Sequence, residues 1–214
     1  MVKYEKLETI FSRDMNGTKK LMDGVFRDPT VEFLKDVQWD WTEKVDGTNI
    51  GVVWDGYRVS YQGRTENAQI PLRLLDKLNE LFGTPEAEQI FEEQFGDRNV
   101  ILFGEGYGNK IQGAGQKYIP NGVGFILFDL WIRGNYQPRE SVERAARSFG
   151  IPVVPVVGHG TLDEAVEFVK GHPQSTIGDL PMEGVVCRPM MELRDRCGNR
   201  IITKIKWKDF KDLV

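Results

Sequence analysis

The chain has 214 residues, 28% of them charged and 40% apolar, and a formal net charge of −4; that length and balance suit one soluble domain, or one domain with a small lobe. No apolar stretch approaches the roughly 20 residues that span a bilayer, and Met1-Val2-Lys3-Tyr4-Glu5-Lys6 lacks the apolar run of a signal peptide, so no membrane partner and a cytoplasmic location are expected. The acidic average excludes a uniformly basic nucleic-acid surface, so a strand-binding role requires basic residues concentrated locally.

In chain order, residues 39–44 read as a strand that runs into the turn signal Asp46-Gly47, and residues 49–54 resume an extended pattern. A second turn signal, Asp55-Gly56, precedes a third extended stretch at 57–62, and together these predict an antiparallel meander. Residues 71–82 carry leucines at 72, 74, 75, 78 and 81, mostly at helical spacing, and 85–95 is a second candidate helix. Residues 99–103 and 124–131 are apolar and β-prone, as buried strands are. A helix is predicted over 138–149, opened by Pro138 and followed by Gly150, and another over 161–170, where Thr161 and Glu164 form a capping box. Residues 183–188 and 200–207 read as a strand pair with Cys197-Gly198-Asn199 in the turn. The basic residues gather at this end: Arg200, Lys204, Lys206, Lys208 and Lys211, against Asp209 and Asp212. A solvated face accounts for such a run equally well. Strands and helices that do not alternate regularly predict an α+β fold with mainly antiparallel sheets flanked by helices. A boundary near 134–138 is conceivable, but nothing there reads as a flexible linker, so one domain over 1–214 is expected. Cys187 and Cys197, ten residues apart, lack the ligand pattern of a zinc site, and His159 and His172 do not complete one.

Several short stretches carry chemistry. Lys44-Val45-Asp46-Gly47-Thr48-Asn49 sets a lysine at a strand end beside a tight turn. A lysine becomes a nucleophile when its ammonium loses a proton, which burial and neighbouring cations both favour. Lys204 and Lys206 are candidate cations, and as alternate strand residues they share a face. Phe103-Gly104-Glu105-Gly106-Tyr107-Gly108 reads as a strand that ends in a glycine-rich loop. It is neither a phosphate-cradling loop, lacking Gly-Lys-Ser/Thr, nor a dinucleotide fingerprint, because the third glycine is misplaced. Glu105 within it offers a carboxylate to ribose hydroxyls. Glu183 stands just before an apolar strand, Phe128-Asp129 closes another, and Arg64 follows Tyr61-Gln62-Gly63. An aromatic can stack on a base, and a guanidinium pairs with phosphate through its planar fork. Each signal taken alone also has a structural reading.

As an ordered set the stretches resemble the covalent nucleotidyltransferases, and among them the ATP-dependent RNA ligases related to the double-strand-repair RNA ligases of phages. The resemblance runs from about residue 4 to residue 210. Lys44-Val45-Asp46-Gly47-Thr48-Asn49 resembles that family's nucleophile motif, with Glu43 before it typical of this branch. Gly63-Arg64-Thr65, Phe103-Gly104-Glu105, Phe128-Asp129, Glu183-Gly184-Val185-Val186 and Lys204-Ile205-Lys206 resemble its further motifs, and the stretch 108–116 with Ile111-Gln112 is also similar. Asn49, where DNA ligases and capping enzymes usually have arginine, favours the RNA-ligase type.

The resemblance implies a nucleotidyltransferase (ATP-grasp-like ligase adenylation) fold and the joining of 3′-hydroxyl to 5′-phosphate ends. AMP passes from ATP to Lys44, then to the 5′-phosphate, and leaves when the 3′-hydroxyl attacks. It implies Lys44 as nucleophile, with Glu183, Lys204 and Lys206 also catalytic. Arg64 would contact the nucleotide's phosphate region, Glu105 the ribose, and Phe128 with the backbone near Glu43 the adenine. Asn49 is a candidate for placing the 3′ end. The implied cofactors are ATP and Mg²⁺, with Mn²⁺ as an alternative; Glu183 is expected to hold metal waters or substrate, and no direct metal ligand is assigned. The implied partner is RNA, nicked or broken. The chain ends eight residues after Lys206, which leaves no room for an oligonucleotide-binding barrel, so an isolated catalytic domain or a minimal ligase is expected, with a protein partner as one source of strand binding. The competing readings are a DNA ligase, a capping-type nucleotidyltransferase, and a non-catalytic nucleotide- or nucleic-acid-binding relative.

Overall fold

The computed structural model describes residues 2–211, so Asp212 of the C-terminal cluster lies outside the described residues. The elements in chain order are β1 (Phe11–Arg13), β2 (Leu21–Phe26), α1 (Pro29–Phe33), β3 (Trp39–Glu43), β4 (Thr48–Trp54) and β5 (Val59–Gly63). Then come α2 (Leu72–Phe82), α3 (Pro85–Phe95), β6 (Val100–Gly108), β7 (Val123–Ile132), β8 (Asn135–Tyr136) and α4 (Arg139–Phe149). The last are β9 (Val156–Gly160), α5 (Leu162–Lys170), β10 (Gly184–Pro189) and β11 (Thr203–Lys206). They form two compact units. Met1–Glu5 with Asp46–Val154 make one, termed the central unit for its main segment; Lys6–Val45 with Pro155–Val214 make the other, the terminal unit. Among the described residues no helix is long and apolar enough to cross a membrane.

In the central unit five antiparallel strands lie in the order β5-β4-β6-β7-β8. Leu74, Leu78 and Phe82 recur at helical spacing on α2 and are fully buried, which fixes the face that the helix turns inward. Phe91 and Phe95 of α3, Val142 and Phe149 of α4, and Ile50, Val52, Val100, Leu102 and Phe125 of the sheet complete one apolar core. Local signals set the helix ends. Thr84 accepts a bond from the Ala87 N–H at the start of α3, and Gly150, at φ +63°, closes α4 in the left-handed conformation.

The stretch 103–108, expected as a glycine-rich loop, is instead the second half of β6, paired with β7 along its length and with β4 as far as Gly106. Glycine weakens an isolated strand, but packing needs these two positions bare. A Cβ on Gly104 would lie 2.3 Å from Phe125 Cζ and 2.5 Å from the Ile126 carbonyl oxygen; one on Gly106 would lie 2.3 Å from Leu74 Cδ2. Opposite this stretch β7 carries a bulge. Phe103 pairs with Asp129 and Gly104 with Leu127, so Phe128 is the extra residue. Leu127 then turns its backbone to another segment: its N–H donates to the Pro152 carbonyl and its carbonyl accepts from Val154, both at 2.9 Å.

In the terminal unit four antiparallel strands lie in the order β11-β10-β3-β9, beside the hairpin β1-β2. Trp39, Trp41, Val185, Cys187 and Ile205 face a core that Leu162, Ala165, Val166 and Val169 of α5 close. The predicted capping box of α5 is present in both directions. The meander expected from 39–62 is only half right. β4 and β5 pair as a hairpin, but β3 belongs to the other unit's sheet. Both edges of β3 are occupied, by β10 and β9, so β4 has no edge to join, and the chain leaves the terminal unit between Val45 and Asp46.

Gly104→Ala therefore tests the packing of β6. Overpacking of this kind costs about 1–3 kcal/mol, and a lowered denaturation midpoint in chemical unfolding is the expected result.

Candidate active site

Alternation along β3 buries Trp39, Trp41 and Glu43 and turns positions 40, 42 and 44 to the opposite face. The Lys44 N–H donates to the Gly184 carbonyl at 2.9 Å, and Gly184 is the register partner of Lys206. Backbone pairing alone thus sets Lys44, Gly184 and Lys206 in one row across three strands. The centre of that row is bare, because a Cβ on Gly184 would lie 2.0 Å from the Ile205 carbonyl oxygen. Glu183, immediately before β10, accepts a bond from Lys44 Nζ at Oε2, 2.5 Å away, and its Oε1 lies 3.7 Å from Lys206 Nζ. The Trp207 N–H donates to the Glu183 carbonyl at 3.0 Å and fixes the backbone that carries the carboxylate. The side chains of Lys44, Glu183 and Lys206 are 26%, 20% and 15% exposed, so solvent screens their charges only in part. Burial pushes the Lys206 ammonium down to about 8. Lys208, beside it, adds to the shift, Lys44 adds a smaller part, and Glu183 opposes it. Lys204 stands one row away on the same face, opposite Val186, which is itself opposite Thr42.

Glu43 lies on the other face of β3 and is 2% exposed. Its carboxylate accepts from Ser175 Oγ, from the Thr176 N–H at 2.9 Å and from Thr176 Oγ1 at 2.7 Å. The side chain is therefore spent on anchoring the segment that leads to Glu183, and only the backbone of Glu43 is left for a ligand role.

The central unit carries a second set. Asn49 on β4 and Glu105 on β6 are direct register partners. They share the face opposite Ile50 and Leu102, which point into the core. Gly47 comes so close to β6 that a Cβ there would lie 2.3 Å from the Gly106 carbonyl oxygen and 2.9 Å from Glu105 Cγ. Two side chains hold this turn: Gln112 Nε2 donates to the Gly47 carbonyl at 3.2 Å, and Tyr118 Oη accepts from the Asp46 N–H at 3.2 Å. Phe128, partly buried at the bulge, meets Tyr4 edge-on at 5.0 Å. Tyr4 in turn donates from its hydroxyl to the buried Asp129 at 2.6 Å and lies 5.0 Å from the Phe103 ring. Arg64 is exposed just after β5.

Of the residues singled out in the sequence, the structure brings Lys44, Glu183 and Lys206 into contact, sets Lys204 beside them, and pairs Asn49 with Glu105. Sequence reasoning missed Tyr4, Gln112 and Tyr118 as supports, and the pair His159 Nδ1–Asp40 Oδ1 at 2.6 Å. The alternation of β3 could have exposed Asp40, and Gln112 lies in the stretch 108–116 singled out in the sequence; nothing local marks the rest.

The central and terminal sheets, with their polar faces built on lysines and carboxylates, have the α+β architecture of nucleotidyltransferase-type RNA ligase structures. The chain belongs to the RNA ligase family, whose model matches residues 37–207. Among solved structures it is similar to a Naegleria gruberi RNA ligase mutant with ATP and Mn, at 19% identity and a TM-score of 0.67. The match covers 99% of this chain and 58% of that one. An apo mutant of the Naegleria gruberi RNA ligase R4a gives 20% identity and a TM-score of 0.64, covering 87% and 54%. A mutant of the Naegleria gruberi RNA ligase with AMP and Mn gives 18% and 0.64, covering 97% and 63%. The chain thus spans between about half and two thirds of the length of these structures. No curated protein matches it.

The environment of Lys206 predicts a titration. In competitive amine labelling read by peptide mass, Lys206 should lose its proton near pH 8. Lys208→Gln removes a neighbouring cation and should move the midpoint up; Glu183→Gln removes the attraction that favours the ammonium and should move it down.

Proposed function

We propose that this chain is the catalytic part of an ATP-dependent RNA ligase, which joins 3′-hydroxyl and 5′-phosphate ends through lysyl-AMP and adenylated-strand intermediates. The observation that carries the proposal is the cluster of Lys44, Glu183 and Lys206: a nucleophile and a cation held in one row with Gly184 by strand pairing, and between them the carboxylate within their reach.

In the first step Lys44 Nζ attacks the α-phosphorus of ATP. The nitrogen–phosphorus bond forms, the bond to the bridging oxygen breaks, and pyrophosphate leaves. Glu183 holds the amine at hydrogen-bond distance and is the nearest acceptor for its proton. Lys206 and Lys204, on one face of the sheet, supply positive charge where it develops on the phosphate oxygens. Glu105 binds the ribose, Phe128 stacks on adenine and Arg64 contacts phosphate. The fixed edge contact of Tyr4 keeps the Phe128 ring from turning. In the later steps AMP passes to a 5′-phosphate and a 3′-hydroxyl displaces it, with Asn49 placing the 3′ end.

A divalent ion suits this donor set. Mg²⁺ keeps most of its waters and takes one or two carboxylates besides substrate phosphates. Among the described residues no group of three histidine, cysteine or acidic side chains could hold a metal; Glu183, beside Lys44 and Lys206, would hold the ion's waters. When bound, the ion would neutralise phosphate charge. RNA with nicked or broken ends is the proposed substrate, and a partner that supplies strand binding belongs to the same proposal.

Incubation with Mg²⁺ and α-labelled ATP followed by a denaturing gel tests the reading. The wild type, first freed of any preformed adduct, should retain label and Lys44→Ala should retain none. Label from GTP or NAD in place of ATP would point to a capping-type enzyme or a different ligase class, and no label from any donor would leave a non-catalytic relative.

A further inference from the structure

The chain departs from a local rule just past α5. Gly171 caps that helix with ordinary helical angles, and the residue after it, His172, stands at φ +48°. That left-handed position commonly falls to glycine, because a Cβ there crowds the backbone. Among the described residues Lys19, Lys110 and Arg133 also have positive φ, and all three are exposed, whereas His172 is partly buried. Its ring lies flat on Trp207, with centroids 3.8 Å apart and planes 10° apart. Trp207 is itself partly buried against the terminal core. His172 also opens the segment that ends at Glu183. Within it the Met182 N–H donates to the Pro173 carbonyl at 2.8 Å, and Ser175 and Thr176 hold Glu43, the residue before Lys44. At its far end the Glu183 carbonyl accepts from the Trp207 N–H. Trp207 thus touches both ends of the segment, through its ring at His172 and through its backbone at Glu183.

We infer that His172 is a positioning residue for the first chemical step: its stack on Trp207 holds that residue's N–H on the Glu183 carbonyl and so keeps the Glu183 carboxylate at Lys44. This rests on the ligase reading. Backbone strain persists where the surroundings fix it, and such places cluster at functional sites. Here the strained residue supplies the flat side chain that the contact needs. Glycine or asparagine would suit the backbone better and would supply no ring. The neighbours of Trp207 are held from another direction. Asp209 pairs with Arg13, and Phe210 meets Phe11 edge-on, so β1 anchors that side of the turn. His172 instead ties the turn to the segment that carries Glu183. The contact is independent of the charge on the imidazole, because flat rings in contact attract by dispersion. Fixing the segment at both ends limits the drift of the carboxylate, and proton transfer needs donor and acceptor within hydrogen-bond reach.

The test compares wild type with His172→Asn and His172→Phe. Asparagine tolerates the left-handed backbone and removes the ring; phenylalanine keeps a flat ring. Lysyl-AMP formation is timed in single turnovers against ATP concentration. The denaturation midpoint is measured on the same proteins, and hydrogen exchange of the Trp207 amide reads the bond to Glu183. His172→Asn should lower the limiting rate roughly tenfold, since a misplacement of about 1 Å can cost about 100-fold. The ATP concentration at half the limiting rate should stay within about twofold of the wild type, because the groups proposed to hold the nucleotide are untouched. The denaturation midpoint should stay near that of the wild type, as the relaxed backbone offsets the lost stack. The Trp207 amide should lose protection. His172→Phe should restore both rate and protection. An unchanged rate in His172→Asn would overturn the inference. So would a loss of rate with the Trp207 amide still protected, one that only tracks a lowered denaturation midpoint, or one that phenylalanine does not recover. If the wild type forms no lysyl-AMP, the ligase reading fails, and exchange at Trp207 then decides by itself whether His172 holds the Glu183 backbone.

Discussion

Glu183 faces two lysines with its two carboxylate oxygens, one ammonium 2.5 Å away and the other 3.7 Å. Two partly buried cations this close repel each other, and the carboxylate between them is what makes their approach tolerable. Lys44 directly follows β3 and Lys206 ends β11, and the carboxylate stands just before the strand between them. A one-residue slip in either pairing would turn a lysine into the core and an apolar residue out. Sheet register and site geometry are therefore one problem in this unit. The lowered affinity of Lys206 for its proton is the residual cost of the arrangement: burial and Lys208 act against the charge, and Glu183 offsets only part of it.

The same logic of close approach explains where side chains are missing. Gly47, Gly104, Gly106 and Gly184 all stand where another backbone or an apolar side chain comes within the reach of a Cβ. At Gly184 the gap lets the backbones of β10 and β11 meet under the lysines. At Gly104 and Gly106 it admits Phe125 and Leu74, so β6 lies tight against its core while Glu105 looks the other way. The bulge at Phe128 adds a second adjustment. One extra residue on β7 breaks the strict alternation, which leaves Phe125 and Leu127 in the core and Asp129 beside Tyr4.

Much of this was legible in the sequence. Helices α2 to α5 follow from leucine spacing, proline at the start, glycine at the end and one capping box, all of them local effects. The turn after Lys44, Glu105, Glu183 and the lysine pair could be picked out because each couples an uncommon residue to a strand end or a glycine. Other features resisted for a physical reason. Whether 103–108 forms a loop or a strand depends on Phe125 and Leu74, more than a helix away in sequence. The partner of β3 depends on strands that lie beyond residue 155. Tyr4 has no meaning until Asp129 is buried beside it. The anchoring role of the Glu43 carboxylate was not legible, because its partners Ser175 and Thr176 carry no signal of their own.

The division of the chain also governs its birth on the ribosome. The central unit is almost continuous in sequence, whereas the terminal unit is interrupted by residues 46–154. Strand β3 emerges early with both of its edges open, and the strands that cover them, β9 and β10, follow more than a hundred residues later. Lys44 is thus synthesised long before Glu183 and Lys206, and the three come together only once β10 and β11 have been made. A truncated product that stops short of β11 therefore carries Lys44 without Lys206, the second lysine that Glu183 faces.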